Sequence, residues 1–453
     1  MLSQLLTISR NTFVESVRQP IYFILIALAG ICLLLTTWSA GFTMGMTESG
    51  EVSGDNKLLL DVGMATIFVC GVLLAAFLAT AVISREIDNK TVLTVVSKPV
   101  SRVTVVLGKY IGVAGAILIA GITMSVFLLL CVRHEVMSTS ADDVDGPVVL
   151  FSLLAVGIAV AVAIWCNFFY GWVFPQTATL LLLPLIVAAY VGVLLVSKRW
   201  EIQAPSSDLK PQITIAAASV VMALLVLTAI ATAASARLGQ VMTLVVCCGA
   251  FMFGMLSNHF LGSRAIDSSF VGVIGAAQPQ LANQATLDQN GDVYNITLEF
   301  DPRRQLKPGL PFYYGENPNG FQMALAPYEP YKGSLTEFAE LGNRNNTPAL
   351  VIVESEGPGK TLKVQRVGAD TPFVTRPPRT GDYIFLAPAV FNPVFLAAWA
   401  IVPNIQFFWL VDAISQDQPI PAGHMLLVLL YGVAQIGVFL SLAVALFQRR
   451  EVG

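Results

Sequence analysis

The stretch of this sequence that comes closest to a nucleotide-binding motif is Val353–Leu362, VESEGPGKTL. It contains the Gly-Lys-Thr that ends a P-loop, but Glu354 stands where that motif requires a glycine. The following run, LKVQRV, alternates as a strand does, whereas a P-loop needs a helix whose amide groups face phosphate. The stretch therefore predicts a hairpin turn and no nucleotide site.

The sequence also lacks the motifs that are typical of metal sites and of hydrolytic enzymes. Cys247 and Cys248 are adjacent but have no His or carboxylate beside them, and all six cysteines lie in apolar runs, which indicates buried thiols. The three histidines are scattered, and neither HExxH nor GxSxG occurs. Four aspartates lack the spacing of a calcium-binding loop and are typical of turns: Asp267, Asp288, Asp292 and Asp301. We expect no catalytic residues, no metal site and no cofactor, so the chain is not predicted to be an enzyme.

The densest group of charges is Ser84–Arg102, SREIDNKTVLTVVSKPVSR, between two long runs that contain no charge. Its basic residues fit a plain cytoplasmic loop. Its apolar residues from Val92 to Val96 also fit a short helix that docks into a groove on a partner and ends at Pro99. Both interpretations remain open on the residues alone.

The elements that position this segment are membrane spans. The chain has 453 residues, of which 55% are hydrophobic and 12% charged, with a mean hydropathy of +0.71. Soluble domains contain about 25% charged residues, so this composition indicates an integral membrane protein. Eight segments have the roughly 20 apolar residues that a span needs, without an interior Asp, Glu, Lys or Arg: 20–40, 62–83, 110–132, 148–170, 175–196, 213–235, 241–262 and 424–447.

Orientation follows from Lys and Arg in the short connections. The loop 84–109, the leader and the Arg449-Arg450 tail are all basic, and an even number of spans places them on one side. We therefore expect eight spans in the cytoplasmic (inner) membrane, with both termini in the cytoplasm. The loop that contains Lys198, Arg199 and Lys210 argues weakly against this, because it would face outward. Its positive charge is partly offset by Glu201 and Asp208.

The sequence divides into five parts. Residues 1–19 predict an amphipathic helix at the cytoplasmic interface, and 20–262 predict seven spans with the loop 84–109. Residues 263–390 contain alternating stretches such as VYNITLEF, ALVIVES and DYIFLAP, which predict a β-rich extracytoplasmic domain. Residues 391–423 are apolar but broken by Pro393 and Pro403, and we expect an interfacial or re-entrant element with Trp399, Phe407, Phe408 and Trp409 at the interface. Residues 424–453 hold the last span and a basic tail. The predicted fold class is an α-helical polytopic membrane protein with a β-rich domain inserted before the last helix.

The charged segment SREIDNKTVLTVVSKPVSRVTVVLGKY resembles the loop after the second span of ABC-2 type transporter permeases. The leader TFVESVRQPIYF is similar to the elbow helix of that family, and SARLGQVMTLVVCCGAFMFG to its turn between two central spans. The C-terminal LLYGVAQIGVFLSLAVALFQRRE resembles its last span and basic tail. Two features depart from the usual six spans: an extra pair, assigned to 148–196, and the insertion 263–390.

The resemblance implies the membrane permease subunit of an ABC exporter, which forms the translocation path and is driven by a separate cytoplasmic ATPase. It also implies a second permease copy or a paralogue as partner. The membrane spans imply contact with lipid, and the formal net charge of −3 is too small to suggest a nucleic-acid partner. The residues that match the family's loop and are expected to couple the permease to its ATPase are Glu86, Thr91, Pro99, Arg102 and Lys109.

Two other classes remain open. One is a membrane anchor or scaffold that presents the 263–390 domain to an envelope partner. The other is an ion-coupled carrier, which is disfavoured because such carriers need acidic residues or His within the bilayer.

Overall fold

The computed structural model describes residues 2–39, 54–88, 101–136, 144–280, 287, 289–318, 320, 323–335, 337–356, 360–372, 374–415 and 420–448. The chain forms two compact units, one of residues 1–258 and 401–453 and one of residues 259–400. We refer to them as the helical unit and the β unit.

The helical unit consists of long apolar helices in the order α1 (Leu2–Arg18), α2 (Pro20–Ser39), α3 (Gly54–Asp88), α4 (Arg102–His134), α5 (Gly146–Tyr170), α6 (Phe174–Leu195), α7 (Pro211–Ser235) and α8 (Gln240–Met255). A π-helical turn (Asn258–Gly262) and α9 (Ser263–Ala265) lead into the β unit, which includes α10 (Phe338–Leu341). The chain continues through α11 (Pro393–Ile401), a 3₁₀ turn (Ile405–Phe408), α12 (Val411–Ser415) and α13 (Ala422–Gln448).

Helix boundaries follow capping chemistry in the sequence. Asp145 precedes α5, and its side chain accepts a hydrogen bond from the Val148 amide at 3.2 Å. Gly171 ends α5 in the left-handed conformation, with φ of 66°, and its amide bonds Asn167 O. Ser101 caps α4 through the Thr104 amide at 3.2 Å, so α4 begins eight residues before the predicted span 110–132. Arg102–Lys109 are therefore helical, and Ser84–Asp88 are likewise the last residues of α3.

Seven helices within the described residues are long and apolar enough to cross a membrane: α2, α3, α4, α5, α6, α7 and α13. An eighth is reached if Gln240–Met255 and Asn258–Ala265 count as one bent span. At 1.5 Å per residue, the 35 residues of α3 and the 33 residues of α4 extend about 50 Å, against about 30 Å for the hydrocarbon core. Both helices are thus long enough to project beyond a bilayer.

The β unit is built on a six-stranded antiparallel sheet in the order β4-β7-β2-β3-β6-β5. Its strands are β2 (Phe270–Pro279), β3 (Val293–Leu298), β4 (Tyr313–Gly315), β5 (Ala349–Glu356), β6 (Thr361–Val367) and β7 (Tyr383–Phe385). VYNITLEF, ALVIVES, LKVQRV and DYIFLAP each contain a strand, with Ile296 and Leu298 buried as their alternation predicts. Phe300, which the same alternation places on the buried face, is 67% exposed because β3 ends at Leu298. β2, which the sequence analysis did not predict, is a central strand.

The sheet closes on itself. The Ile352 amide donates to Leu310 O at 3.0 Å, and the Phe312 amide donates to Leu350 O at 3.1 Å. The segment before β4 therefore pairs with β5. Inside, the Tyr328 hydroxyl lies 2.8 Å from Phe312 O and 2.9 Å from Leu350 O. Burial raises the pKa of Tyr328 well above its ordinary value. The unit therefore has its own core and leaves neither β4 nor β5 as a free edge.

A short two-stranded ribbon stands where the chain enters and leaves the β unit. β1 (Ile266–Asp267) pairs with β8 (Val390–Phe391) in antiparallel register, Ile266 opposite Phe391. The Asn392 amide adds a bond of 2.9 Å to Ala265 O. The incoming and outgoing segments are thus held side by side.

The apolar stretch that follows the ribbon forms short helices, and α11 has only nine residues. No helix long enough to span a membrane lies within the described part of 391–423. Phe408 is buried in the hydrophobic core of the helical unit, so its ring packs against protein and not against lipid. The 3₁₀ turn at Ile405–Phe408 directs this ring inward.

Candidate functional site

The five predicted coupling residues lie in or beside the connection between α3 and α4. Glu86 belongs to the last turns of α3, and only its backbone is described. Thr91 and Pro99 lie outside the described residues. Arg102 and Lys109 occupy the first turns of α4. The structure therefore gives side-chain geometry for these last two.

Arg102 binds the end of another helix. Its Nη1 donates to Gln448 O, the last residue of α13, at 2.7 Å. Arg237, just beyond α7, donates from Nε to Leu446 O at 3.1 Å. The last carbonyls of a helix have no partner within it and attract cations, so both arginines stabilise the end of α13.

Lys109 makes the corresponding contact with α3. It is only 7% exposed, and its Nζ donates to Val82 O at 2.9 Å. A buried ammonium group needs such an acceptor, because removing it from water is otherwise strongly unfavourable. Lys109 thus joins α4 to α3 one turn before Glu86.

The amphipathic helix α1 is seated on α4 over two glycines. A Cβ at Gly112 would lie 2.6 Å from Ser9 O and from Thr12 Cβ, and one at Gly108 would lie 2.8 Å from Ile8 Cγ2. Glycines at this spacing let two helix backbones approach closely. The far end of α1 is held by Arg18, whose Nε donates to Gln176 Oε1 in α6 at 2.8 Å. The helix 1–19 was predicted, but its seat on α4 was not.

These contacts define one end of the helical unit, which we call the basic end: Arg18, Arg102, Lys109 and Arg237 with the ends of α3, α7 and α13. Arg237 was not recognised in the sequence, although a basic residue directly after the apolar run 213–235 is a usual sign of a helix C-terminus. Through Lys109, Arg102 and Arg237, the basic end joins α4 to α3 and joins both α4 and the end of α7 to α13.

At the opposite end, which we call the paired end, the basic residues contact carboxylates instead of backbone carbonyls. Arg133 is 9% exposed and forms ion pairs with the fully buried Asp145 and, at 2.8 Å, with Asp208. Lys198 is 2.5 Å from Glu135. These contacts tie together three parts of the chain: the end of α4, the residue before α5 and the α6–α7 connection.

Among the described residues, no group of three or more His, Cys, Asp or Glu could hold a metal ion. LKVQRV is strand β6, paired with β5, and not the helix that a P-loop requires.

The seven long apolar helices among the described residues indicate a multi-pass membrane protein. Residues 6–167 match the family model described as ABC-2 family transporter protein, which confirms the resemblance to ABC-2 permeases over these residues. Over these residues the chain is thus similar to a membrane transport component of the permease type. Searches of curated proteins and of solved structures gave no significant match.

The matched region runs from α1 through most of α5. It includes the first helix of the pair 148–196, although the sequence predicts that pair to be an addition to the family core. At least that helix is covered by the family pattern.

Proposed function

We propose that this chain is the permease subunit of an ABC-2 type exporter, that it forms the translocation path, and that a separate cytoplasmic ATPase drives it. The family match supports the permease assignment. On this proposal the basic end faces the cytoplasm with both termini, residues 263–390 face outward, and the chain has eight spans. A second copy or a paralogue completes the transporter.

The observation that carries the proposal is the linkage of helix ends at the basic end. Arg102 and Lys109 join α4 to α13 and to α3, and α1 is seated on α4. α3 and α4 are also long enough to project beyond the bilayer towards a cytoplasmic partner. A partner that moves the α3–α4 connection would therefore move α1, α3, α4 and α13 together. Glu86, Thr91 and Pro99 are proposed as the contact side of this connection, and Arg102 and Lys109 as its anchor.

The test is isolation of the protein from its native membranes with its partners. We expect an ATPase subunit to co-purify and ATP hydrolysis to be retained in the complex. Glu86→Ala should reduce co-purification, because it removes a charge from the contact side. Arg102→Ala should leave co-purification closer to normal but reduce transport and its coupling to hydrolysis.

Lys198→Ala is the matched control, because it removes a cation from the paired end. It should leave both co-purification and coupled hydrolysis unchanged. Normal association and transport in Glu86→Ala and Arg102→Ala would refute the coupling role of these residues.

The alternative is a membrane anchor that presents the β unit to an envelope partner. The closed sheet and separate core of the β unit favour it, since such a unit can fold and bind independently. Recovery of a partner bound through residues 263–390, with no ATPase in the complex, would decide for the anchor.

A further inference from the structure

Helices α5 and α6 form a hairpin that contains no charge. The 52 residues from Gly146 to Ser197 include no Asp, Glu, Lys or Arg, although the turn Gly171–Val173 lies at the same end of the unit as Arg18. Connections at that end are otherwise rich in basic residues. A turn exposed to water would be expected to contain some of them.

The two faces of α5 differ in size and exposure. Ala155, Ala159 and Ala163 are buried at a spacing of four residues, which lets a neighbouring helix pack closely. The exposed face holds large apolar side chains along the length of the helix: Leu150, Leu153, Leu154, Ile158, Val162 and Ile164. Such a face suits the acyl chains of a bilayer.

The tip of the hairpin is an exposed aromatic cluster formed by Trp165, Phe168, Phe169, Tyr170 and Trp172. Phe168 is 80% exposed, and the other four are more than half exposed. The rings contact one another, with centroids 4.1 Å apart for Trp165 and Phe169 and 5.0 Å for Phe168 and Phe169. An exposed patch of this kind on a soluble surface marks an interaction site.

Two contacts place this tip level with the junction of α1 and α2. Arg18 Nε donates to Gln176 Oε1 at 2.8 Å, and the rings of Phe23 and Phe174 lie 5.2 Å apart. Arg18 is the last residue of an amphipathic helix, the kind of element that lies at a membrane interface. The 25 residues of α5 extend about 37 Å, some 7 Å more than the hydrocarbon core, so the end of α5 reaches the headgroup region.

We infer that the aromatic cluster at the α5–α6 tip is a docking surface for the bilayer itself, seated in the headgroup region of the leaflet at the basic end. Trp and Tyr are enriched there because an apolar ring with a polar group suits that boundary. The absence of charge over 52 residues favours lipid over a soluble partner, whose docking surface would need charged or polar complements. That this leaflet is the cytoplasmic one rests on the proposed function, whereas the depth of the tip does not.

The depth can be measured with tryptophan fluorescence in phosphatidylcholine vesicles that contain the full-length protein. The lipid is brominated either near the headgroup or deep in the acyl chain, and iodide serves as an aqueous quencher. The contributions of Trp172 and Trp165 are obtained by subtracting the spectra of Trp172→Phe and Trp165→Phe from that of the wild type.

We expect the Trp172 contribution to be quenched more by the shallow bromine than by the deep one. Trp165 lies five residues, about 8 Å, further into α5 from Tyr170, so its preference should shift towards the deep bromine. Trp200, which is 55% exposed in the turn with Lys198, is the control and should respond to iodide.

Quenching of Trp172 by iodide alone would place the tip in water and overturn the inference. Quenching by none of the three agents would show that protein covers the tip, either a second copy or another subunit, and would overturn it as well. A shallow Trp172 in a protein without an ATPase partner would refute the proposed function and leave this inference intact.

Discussion

The two ends of the helical unit use their basic residues in opposite ways. At the basic end, Arg102, Arg237 and Lys109 donate to backbone carbonyls of α13 and α3. At the paired end, Arg133 and Lys198 are matched by carboxylates. The printed contacts of the first kind run to neutral backbone carbonyls, whereas those of the second kind run to carboxylates.

This difference explains why the connection with Lys198 conflicted with the charge pattern of the sequence. A count of Lys and Arg treats every cation as equal, but Lys198 is 2.5 Å from Glu135 and Arg133 is paired with Asp145 and Asp208. Rules that predict membrane orientation from Lys and Arg are therefore more accurate when they count only the positive charge that is not paired with a carboxylate.

The largest effect is expected from breaking the buried pair at the paired end. Asp145→Ala leaves the Arg133 guanidinium without its fully buried partner and also removes the cap of α5. We expect a loss of about 3–5 kcal/mol in stability. Thermal unfolding in detergent, followed by a thiol-reactive dye that reports exposure of buried Cys131 and Cys166, measures it.

Asp145→Asn is the control for this prediction, since it keeps an oxygen to cap the Val148 amide while losing the charge. It should be less destabilising than Asp145→Ala. If Asp145→Ala unfolds at the same temperature as the wild type, the ion pair contributes nothing to stability, and the contrast between the two ends is lost.

A smaller effect is expected at the basic end, where α1 meets α4. Gly112→Ala would place a Cβ 2.6 Å from Ser9 O, so the helices must separate, and a loss of about 1–3 kcal/mol follows. Gly157→Ala is the matched control, because nothing lies within 4 Å of its Cβ position. It should leave the unfolding midpoint unchanged or raise it slightly, since alanine favours helix. Equal midpoints for the two variants would argue against a close seat of α1.

The smallest effects should come from the exposed contacts. Arg102→Ala and Lys198→Ala each remove one partly exposed cation, and each should lower stability by less than about 1 kcal/mol. Their unfolding midpoints should therefore agree, while only Arg102→Ala alters coupled ATP hydrolysis. A large drop in stability for Arg102→Ala would indicate that its contact with Gln448 is structural and would weaken its assignment to coupling.

Much of the architecture follows from the sequence because burial of apolar residues is periodic and local. The long apolar runs became helices, and the alternating stretches became strands β3, β5, β6 and β7. Strand β2 was not predicted because FVGVIGAAQP has small residues on both faces and shows no alternation of polar and apolar residues. The closure of the sheet depends on pairing between segments about 40 residues apart, which no local pattern encodes.

The candidate site was predictable in part, because its donor side chains can be read from the sequence but their backbone acceptors cannot. Arg102 and Lys109 were identified as basic residues in a family-like segment. Their acceptors, Gln448 O and Val82 O, are backbone atoms, and every residue has such a carbonyl. Only the folded arrangement selects among them, and it also added Arg237, which binds the same helix as Arg102.

The ribbon of β1 and β8 has a consequence for how such a chain could arise. Facing residues of an antiparallel pair have Cα atoms about 4.5–5.5 Å apart, so the entry at Ile266 and the exit at Phe391 are nearly one point in space. More than a hundred residues thus occupy the gap that a tight turn would fill. A domain with such closely spaced ends can be gained, exchanged or lost between two membrane helices during evolution without requiring either helix to move.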